Sequence, residues 1–218
     1  MSNCITTYTG KHFDPTQPEK ERICIDDIAH ALSLLCRGNG HVKTFFSVGQ
    51  HCILCAREAA ARSYSSRLSL AALLHDASEC YMSDVPRPFK KSLPEYQRQE
   101  EKLLCIIYEK YLGTGLSAKE EQQLKNIDND LLWYDLKYLL GETPAEPKPA
   151  IHITVDYTVL PFKTVEEEYL KLFRQLFSRK WKTNIGCYLS NCGRIFTIQI
   201  YLIMIERRSM YGTIDFSC

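Results

Sequence analysis

What leaves this sequence the fewest folds is its punctuation. Helix start and stop signals recur from the N-terminus to about Lys180, and the stretches between them carry apolar residues at helical spacing. Asp26 or Asp27 can cap a helix that runs through Ile28, Leu32 and Leu35 and is halted by Gly38-Asn39-Gly40. A second helix is expected from about Phe46 to Arg62, with Val48, Cys52, Cys55 and Ala59 on one face. A third starts near Ser66 and carries Leu68, Ala71, Leu74 and His75. Asp84-Val85-Pro86-Arg87-Pro88 reads as a loop, because its prolines cannot continue a helix. Pro94 suits the first turn of a helix bearing Leu103, Leu104, Ile107 and Tyr111 and ending at Gly113. Ser117-Ala118-Lys119-Glu120 is a capping box opening a long helix to about Leu140, and Thr164-Val165-Glu166-Glu167 reads as a second one, opening a helix to about Ser178. A proline-rich connector, Thr143 to Pro161, lies between them, with Ile151 to Val155 as a candidate short strand. The expected class is all-α, a compact bundle of five to six main helices.

At 218 residues the chain can bury one substantial core, which the helical pattern places in residues 1–180. Residues 181–218 read differently. They carry few acidic groups and an Ile-rich stretch without amphipathic period, as expected of a poorly ordered or strand-prone C-terminal extension. A formal charge of +1 gives no field to recruit a nucleic-acid polymer or an acidic membrane surface, so a small molecule or a protein is left as partner. Met1-Ser2-Asn3-Cys4 has no signal-peptide pattern, and no apolar run approaches the roughly 20 residues that span a bilayer. A cytoplasmic location with reduced thiols follows as the expectation for the ten cysteines. Cys52-x-x-Cys55 has a zinc-like spacing, but no second pair at zinc-site spacing follows it.

The chemistry concentrates in Leu73-Leu74-His75-Asp76-Ala77-Ser78-Glu79. A bare His-Asp pair at a helix end can simply face water. Here the run Leu68 to Leu74 marks the helix as core, and three ligating or acid–base groups at its end are costly unless something polar is bound there. Asp84 follows on a stiff, proline-bearing segment. Further ligands must come from elsewhere. His51 lies near the start of its helix, and Asp128, Asp130 and Asp135 share another, where spacing alone does not choose among them. Two imidazoles and two carboxylates suit one divalent transition ion, Mn²⁺, Co²⁺, Fe²⁺, Zn²⁺ or Ni²⁺, with Mg²⁺ admissible, better than Ca²⁺ or a metal selected by thiolates.

His51, then His75-Asp76, then Asp128 resembles the H…HD…D signature of the HD-domain phosphohydrolase superfamily. His75-Asp-Ala-Ser-Glu79 through Asp84-Val-Pro-Arg-Pro-Phe-Lys90 resembles a segment of bacterial HD-type 5′-deoxynucleotidases and their prophage-associated relatives. Ala29 to Arg37 with Gly40-His41, and the Tyr169 region, resemble those relatives too; the similarity covers about residues 5–180. The resemblance implies metal ligation by His51, His75, Asp76 and Asp128, the last because Ile127-Asp128-Asn129-Asp130-Leu131-Leu132 matches the family's A-D-x-x-L-L helix there. It implies that Glu79 positions the attacking water, that Asp84 protonates the leaving 5′-oxygen, and that Arg37 and Lys90 contact phosphate. It also implies a homodimer. Gly38-Asn39 stands where the nucleotidases carry a tryptophan near the sugar. The expected activity is hydrolysis of nucleoside 5′-monophosphates, deoxynucleotides foremost, to nucleoside and phosphate. A deoxynucleoside triphosphate triphosphohydrolase, another phosphoester hydrolase, and a non-catalytic nucleotide- or metal-sensing module are the alternatives.

Overall fold

The computed structural model describes residues 3–191. An antiparallel hairpin of β1 (Ile5–Thr6) and β2 (His12–Phe13) precedes α1 (Ile25–Leu34), α2 (Val48–Ala61) and α3 (Ser66–Leu74). Two single-turn helices, α4 (Glu79–Met82) and α5 (Arg87–Lys90), lead into α6 (Pro94–Leu112). Then come α7 (Ala118–Asp135), continued by a π-helical turn at Leu136–Leu140, and α8 (Phe162–Asn191). The class is all-α, and α1, α2, α3, α6, α7 and α8 are the helices that make the bundle.

The helix α3 is its axis. Every residue from Leu68 to Leu74 is buried, on all sides, which only a helix enclosed by others tolerates. It packs against α2, α8, α6 and α7. Each buried leucine contributes about 1.5–3 kcal/mol, and truncating Leu70 to alanine is expected to cost about 2–5 kcal/mol. The Ser65 hydroxyl caps the helix by accepting from the Leu68 amide at 3.1 Å. At the other end the buried Tyr169 of α8 donates its hydroxyl to the Leu73 carbonyl at 2.6 Å. That bond satisfies a last-turn acceptor and fixes the point where the candidate site begins.

The flanking helices follow from local chemistry. Gly49 lets α2 approach α1, since a Cβ there would sit 3.2 Å from the Leu32 backbone. A capping box opens α2: Ser47 Oγ accepts from the Gln50 amide and Gln50 Oε1 from the Ser47 amide, each at 3.1 Å. The expected box at α7 is present, with the Ser117 amide donating to Glu120 Oε2 at 2.8 Å. Gly113, at φ 86°, ends α6 in the left-handed conformation that side chains resist.

Several local expectations are corrected. Thr164 caps nothing, because α8 begins at Phe162 and passes beyond Ser178 to Asn191. The rest of the anticipated C-terminal extension, residues 192–218, lies outside the described residues. Ile151 to Val155 forms no strand; the His152 and Ile153 amides donate to the Glu58 carboxylate instead, at 2.9 and 3.2 Å. Strand pairing occurs earlier, in the short hairpin. The segment after Asp84 coils into α5 at Arg87, where Pro88 falls in the first turn and its missing N–H breaks no bond. Cys36, Cys52, Cys55, Cys80 and Cys105 are free thiols, whereas Cys24 is disulfide-bonded, contrary to the all-reduced expectation. Among the described residues no helix is long and apolar enough to cross a membrane.

Candidate metal centre

Three elements converge on one buried cluster. His51 sits one turn into α2, fully buried. His75 and Asp76 are not on α3 itself, as the sequence pattern implied, but in the tight turn that follows its last residue, Leu74. Asp128 lies in the middle of α7. His51 Nε2 is 3.2 Å from Asp128 Oδ1, His75 Nε2 is 3.8 Å from the same oxygen, and His75 Nε2 is 3.3 Å from Asp76 Oδ2. The four residues nominated as ligands are thus brought together. The three aspartates of α7 are sorted by their directions. Asp128 faces both imidazoles, Asp130 turns away to Arg62 at 2.7 Å, and Asp135 stands behind His51 at 3.4 Å from Nδ1.

The surroundings set the imidazoles for ligation. His75 Nδ1 lies 2.8 Å from the Ala72 carbonyl, which only an N–H can satisfy, so in the neutral ring Nε2 keeps its lone pair toward the cluster. Behind His51 the Asp135 carboxylate makes a charge contact at 3.4 Å that leaves Nδ1 without a hydrogen bond, and Asp135 is itself fixed by the Tyr157 hydroxyl, which donates to Oδ1 at 2.9 Å, and by Arg37 Nη2 at 3.2 Å. Imidazoles held from behind by a carbonyl or carboxylate are the usual outer arrangement of a metal-binding histidine. Burial and the Arg37 charge oppose protonation of His51, but Cys55, Asp128 and Asp135 hold its pKa well above the ordinary histidine value. Burial likewise opposes protonation of His75, and Asp76 foremost outweighs it. The raised pKa values couple ligation to deprotonation, because an imidazole must give up its proton before that nitrogen can bind a cation.

Unpaired atoms test the fit of a metal. His75 Nε2, Asp76 Oδ2 and Glu79 Oε2 are buried with no hydrogen-bond partner. A buried polar atom left unmade costs about 1–3 kcal/mol, and three in one cluster, all lone-pair donors, fit a cation better than any side chain present. The donor set, two imidazoles with carboxylates, agrees with that. Two thiols also border it: the ligand atoms of His51, Cys55 and His75 lie within 4.8 Å of one another, and so do those of Cys52, His75 and Asp76.

Glu79, at the start of α4, is buried beside the cluster, and burial together with the charges of Asp76 and Asp84 holds its pKa well above the ordinary glutamate value. Asp84 is raised in the same way, by burial first, with Arg37 opposing and Asp76 reinforcing. Arg37 lies 3.6 Å from Asp76, inside the cluster. Lys90 stands 3.8 Å from Glu79 but makes its closer pair with Glu100, at 2.8 Å. Arg87, which the sequence offers with Lys90 and Lys91 as a short basic set, has its guanidinium paired with Asp128 Oδ2 and with Asn129 Oδ1 at 2.9 Å. Sequence reasoning passed over Tyr157 and the supporting role of Asp135. Tyr157 sits in a connector without periodicity, so only folding shows that it reaches Asp135.

Fold and cluster together describe an all-helical protein with buried groups of histidine, cysteine and aspartate whose donor atoms lie close enough to share a metal ion. No family model matches the chain. It is similar to the uncharacterized protein YfdR of Escherichia coli, 44% identical over 107 residues, which are 49% of this chain and 57% of that one. It is also similar to the uncharacterized protein RCAP_rcc00048 of Rhodobacter capsulatus, 30% identical over 145 residues, 63% of this chain and 74% of that one. The chain belongs to the family of the Rhodobacter protein, and it spans just over half the length of YfdR.

Proposed function

We propose that this protein is a metal-dependent phosphohydrolase of the HD type that cleaves nucleoside 5′-monophosphates, deoxynucleotides among them, to nucleoside and phosphate. The observation that carries the reading is the cluster of buried, unpartnered lone pairs on His75, Asp76 and Glu79, flanked by a second raised carboxyl at Asp84 and by the Arg37 guanidinium. His51, His75, Asp76 and Asp128 would hold the ion. A bound divalent ion lowers the pKa of water and offsets charge on phosphoryl oxygens.

This chain's own groups supply the rest. Glu79 borders Asp76 and orients the attacking water, accepting its proton once ionised. Asp84, whose acid form burial favours beyond that of an ordinary aspartate, donates to the departing 5′-oxygen. Arg37, fixed between Asp76 and Asp135, presents a positioned cation to the phosphoryl group. A pure sensor would need the ligands but neither Glu79 nor Asp84. The test is hydrolysis by purified protein of nucleoside mono-, di- and triphosphates with Mn²⁺, Co²⁺ or Mg²⁺. Release of phosphate from monophosphates is the expected result. Tight metal binding with no turnover on any of these substrates would replace the enzyme reading with a sensing one.

A further inference from the structure

The cluster has one donor that the histidine–aspartate set does not use. Cys55 follows His51 by four residues, so both side chains lie on one face of α2, and its Sγ is 3.4 Å from His51 Nε2. A nitrogen about 2.0–2.1 Å and a sulfur about 2.3 Å from one tetrahedral ion lie about 3.5 Å apart. In the structure the pair is a thiol–imidazole hydrogen bond, and its length is one that two ligands on a shared ion would also adopt without either helix position moving. His75 completes the face with the buried Nε2 that has no hydrogen-bond partner. Asp128 keeps Oδ1 at the same nitrogen of His51 while the Arg87 guanidinium holds its Oδ2, so the carboxylate can offer one oxygen beside the thiol.

We propose that Cys55 is a thiolate ligand at this centre, together with His51 and His75, and that the centre thereby prefers a thiophilic ion of the zinc class to Mn²⁺ or Mg²⁺. As the sulfur–metal bond forms, the thiol proton passes to solvent. The inference rests on the metal centre proposed above and narrows its ion: nitrogen and oxygen donors alone suit several divalent ions, and one thiolate shifts the preference toward softer ones. Cys52 is the rival sulfur, since it groups with His75 and Asp76, but it is adjacent to His51 in sequence and so points about 100° away from it around the helix.

The experiment is optical titration of the chelator-stripped full chain with Co²⁺. Visible d–d bands report an ion in the centre, and a near-ultraviolet sulfur-to-cobalt band reports thiolate ligation. With the first equivalent the wild type should show both. Cys55→Ser should lose the sulfur band, keep d–d absorption and bind Zn²⁺ more weakly, by more than the roughly 10–100-fold that outer-sphere partners are worth, with Mn²⁺ affinity little changed. Cys52→Ser should keep the sulfur band. A wild type with d–d bands and no sulfur band overturns the proposal while leaving the metal centre standing, and so does a sulfur band that survives Cys55→Ser. Absence of both bands in the wild type overturns the metal centre as well. If Cys55→Ser fails to fold, a wild type without the sulfur band still overturns the proposal, and so does loss of the band in Cys52→Ser.

Discussion

Helix α2 carries two buried ionic clusters, one near each end, and both reach α7, but they are finished differently. Near its C-terminus the fully buried Glu58 accepts from the His152 and Ile153 amides, from His152 Nδ1 at 3.0 Å, and from Arg62 Nε at 2.7 Å. Arg62 in turn donates to Asp130 at 2.7 Å. That network closes on itself and ties the connector to the bundle. Near its N-terminus the His51 cluster leaves His51 Nδ1, His75 Nε2, Asp76 Oδ2 and Glu79 Oε2 without hydrogen-bond partners. Similar residue types on the same two helices thus serve two ends. The satisfied cluster stabilises the fold, whereas the unsatisfied one carries a cost that, on the function proposed above, a bound ion offsets.

The largest effect expected on that contrast is the loss of one imidazole. His75→Ala removes the atom that touches both Asp76 and Asp128. It should abolish tight divalent-ion binding, by calorimetry, and phosphatase turnover together, while the melting temperature of the metal-free protein changes little. A variant that unfolds instead would make the cluster structural and dissolve the contrast.

Next comes Asp84→Asn, which keeps size and polarity but removes the proton. Turnover of nucleoside monophosphates should fall roughly 10²–10⁴-fold, the usual share of general acid catalysis, with ion affinity near normal. A leaving group of low pKa, such as p-nitrophenol, needs little protonation, so the deficit should shrink on p-nitrophenyl phosphate. Equal losses on both substrates would show that Asp84 is not the acid.

The fold was legible wherever periodicity and caps are local. The Ser117-x-x-Glu120 box, the Gly113 stop and the apolar run of α3 needed no tertiary information. Expectations failed where partners are distant. Thr164 has the letters of a cap, but α8 starts one residue after Pro161. Ile151 to Val155 has strand-forming residues, yet its amides are taken by Glu58, far away in sequence. In the site, residue types nominated His51, His75 and Asp76, and the family resemblance chose Asp128 among three candidates. That Asp135 stands behind His51 and that Arg87 holds Asp128 are matters of three-dimensional direction, which spacing on one helix does not encode.

A mutation in the satisfied cluster should give the converse of the histidine result. Glu58→Ala takes from Arg62 one of its two carboxylate acceptors and leaves two backbone amides without theirs, so stability should fall by about 3 kcal/mol, in the range for breaking a buried pair. For a chain of this size that lowers the melting temperature by roughly 6–12 °C. Ion binding and turnover per folded molecule should stay near wild type. A loss of ion affinity comparable to that of His75→Ala would mean the two ends of α2 are coupled.

The smallest effect is one of pH, and it separates the clusters without touching the site. Burial would raise the pKa of Glu58, but the hydrogen bonds from His152 and Arg62 prevail and hold it below the ordinary value of 4.5. A carboxylate depressed in the folded state contributes stability that is present above its unfolded pKa. That contribution is lost as pH falls through the folded one. The stability gap between wild type and Glu58→Gln should therefore be constant from pH 7 to about 5, then narrow as acid protonates the wild-type carboxylate. Chemical denaturation of the metal-free proteins at several pH values measures it, with His152→Asn in both backgrounds to remove the histidine that pairs with Glu58. A gap that stays flat into acid would mean that the buried charge of Glu58 adds nothing beyond its shape, leaving neutral hydrogen bonding as the sole basis of the satisfied cluster.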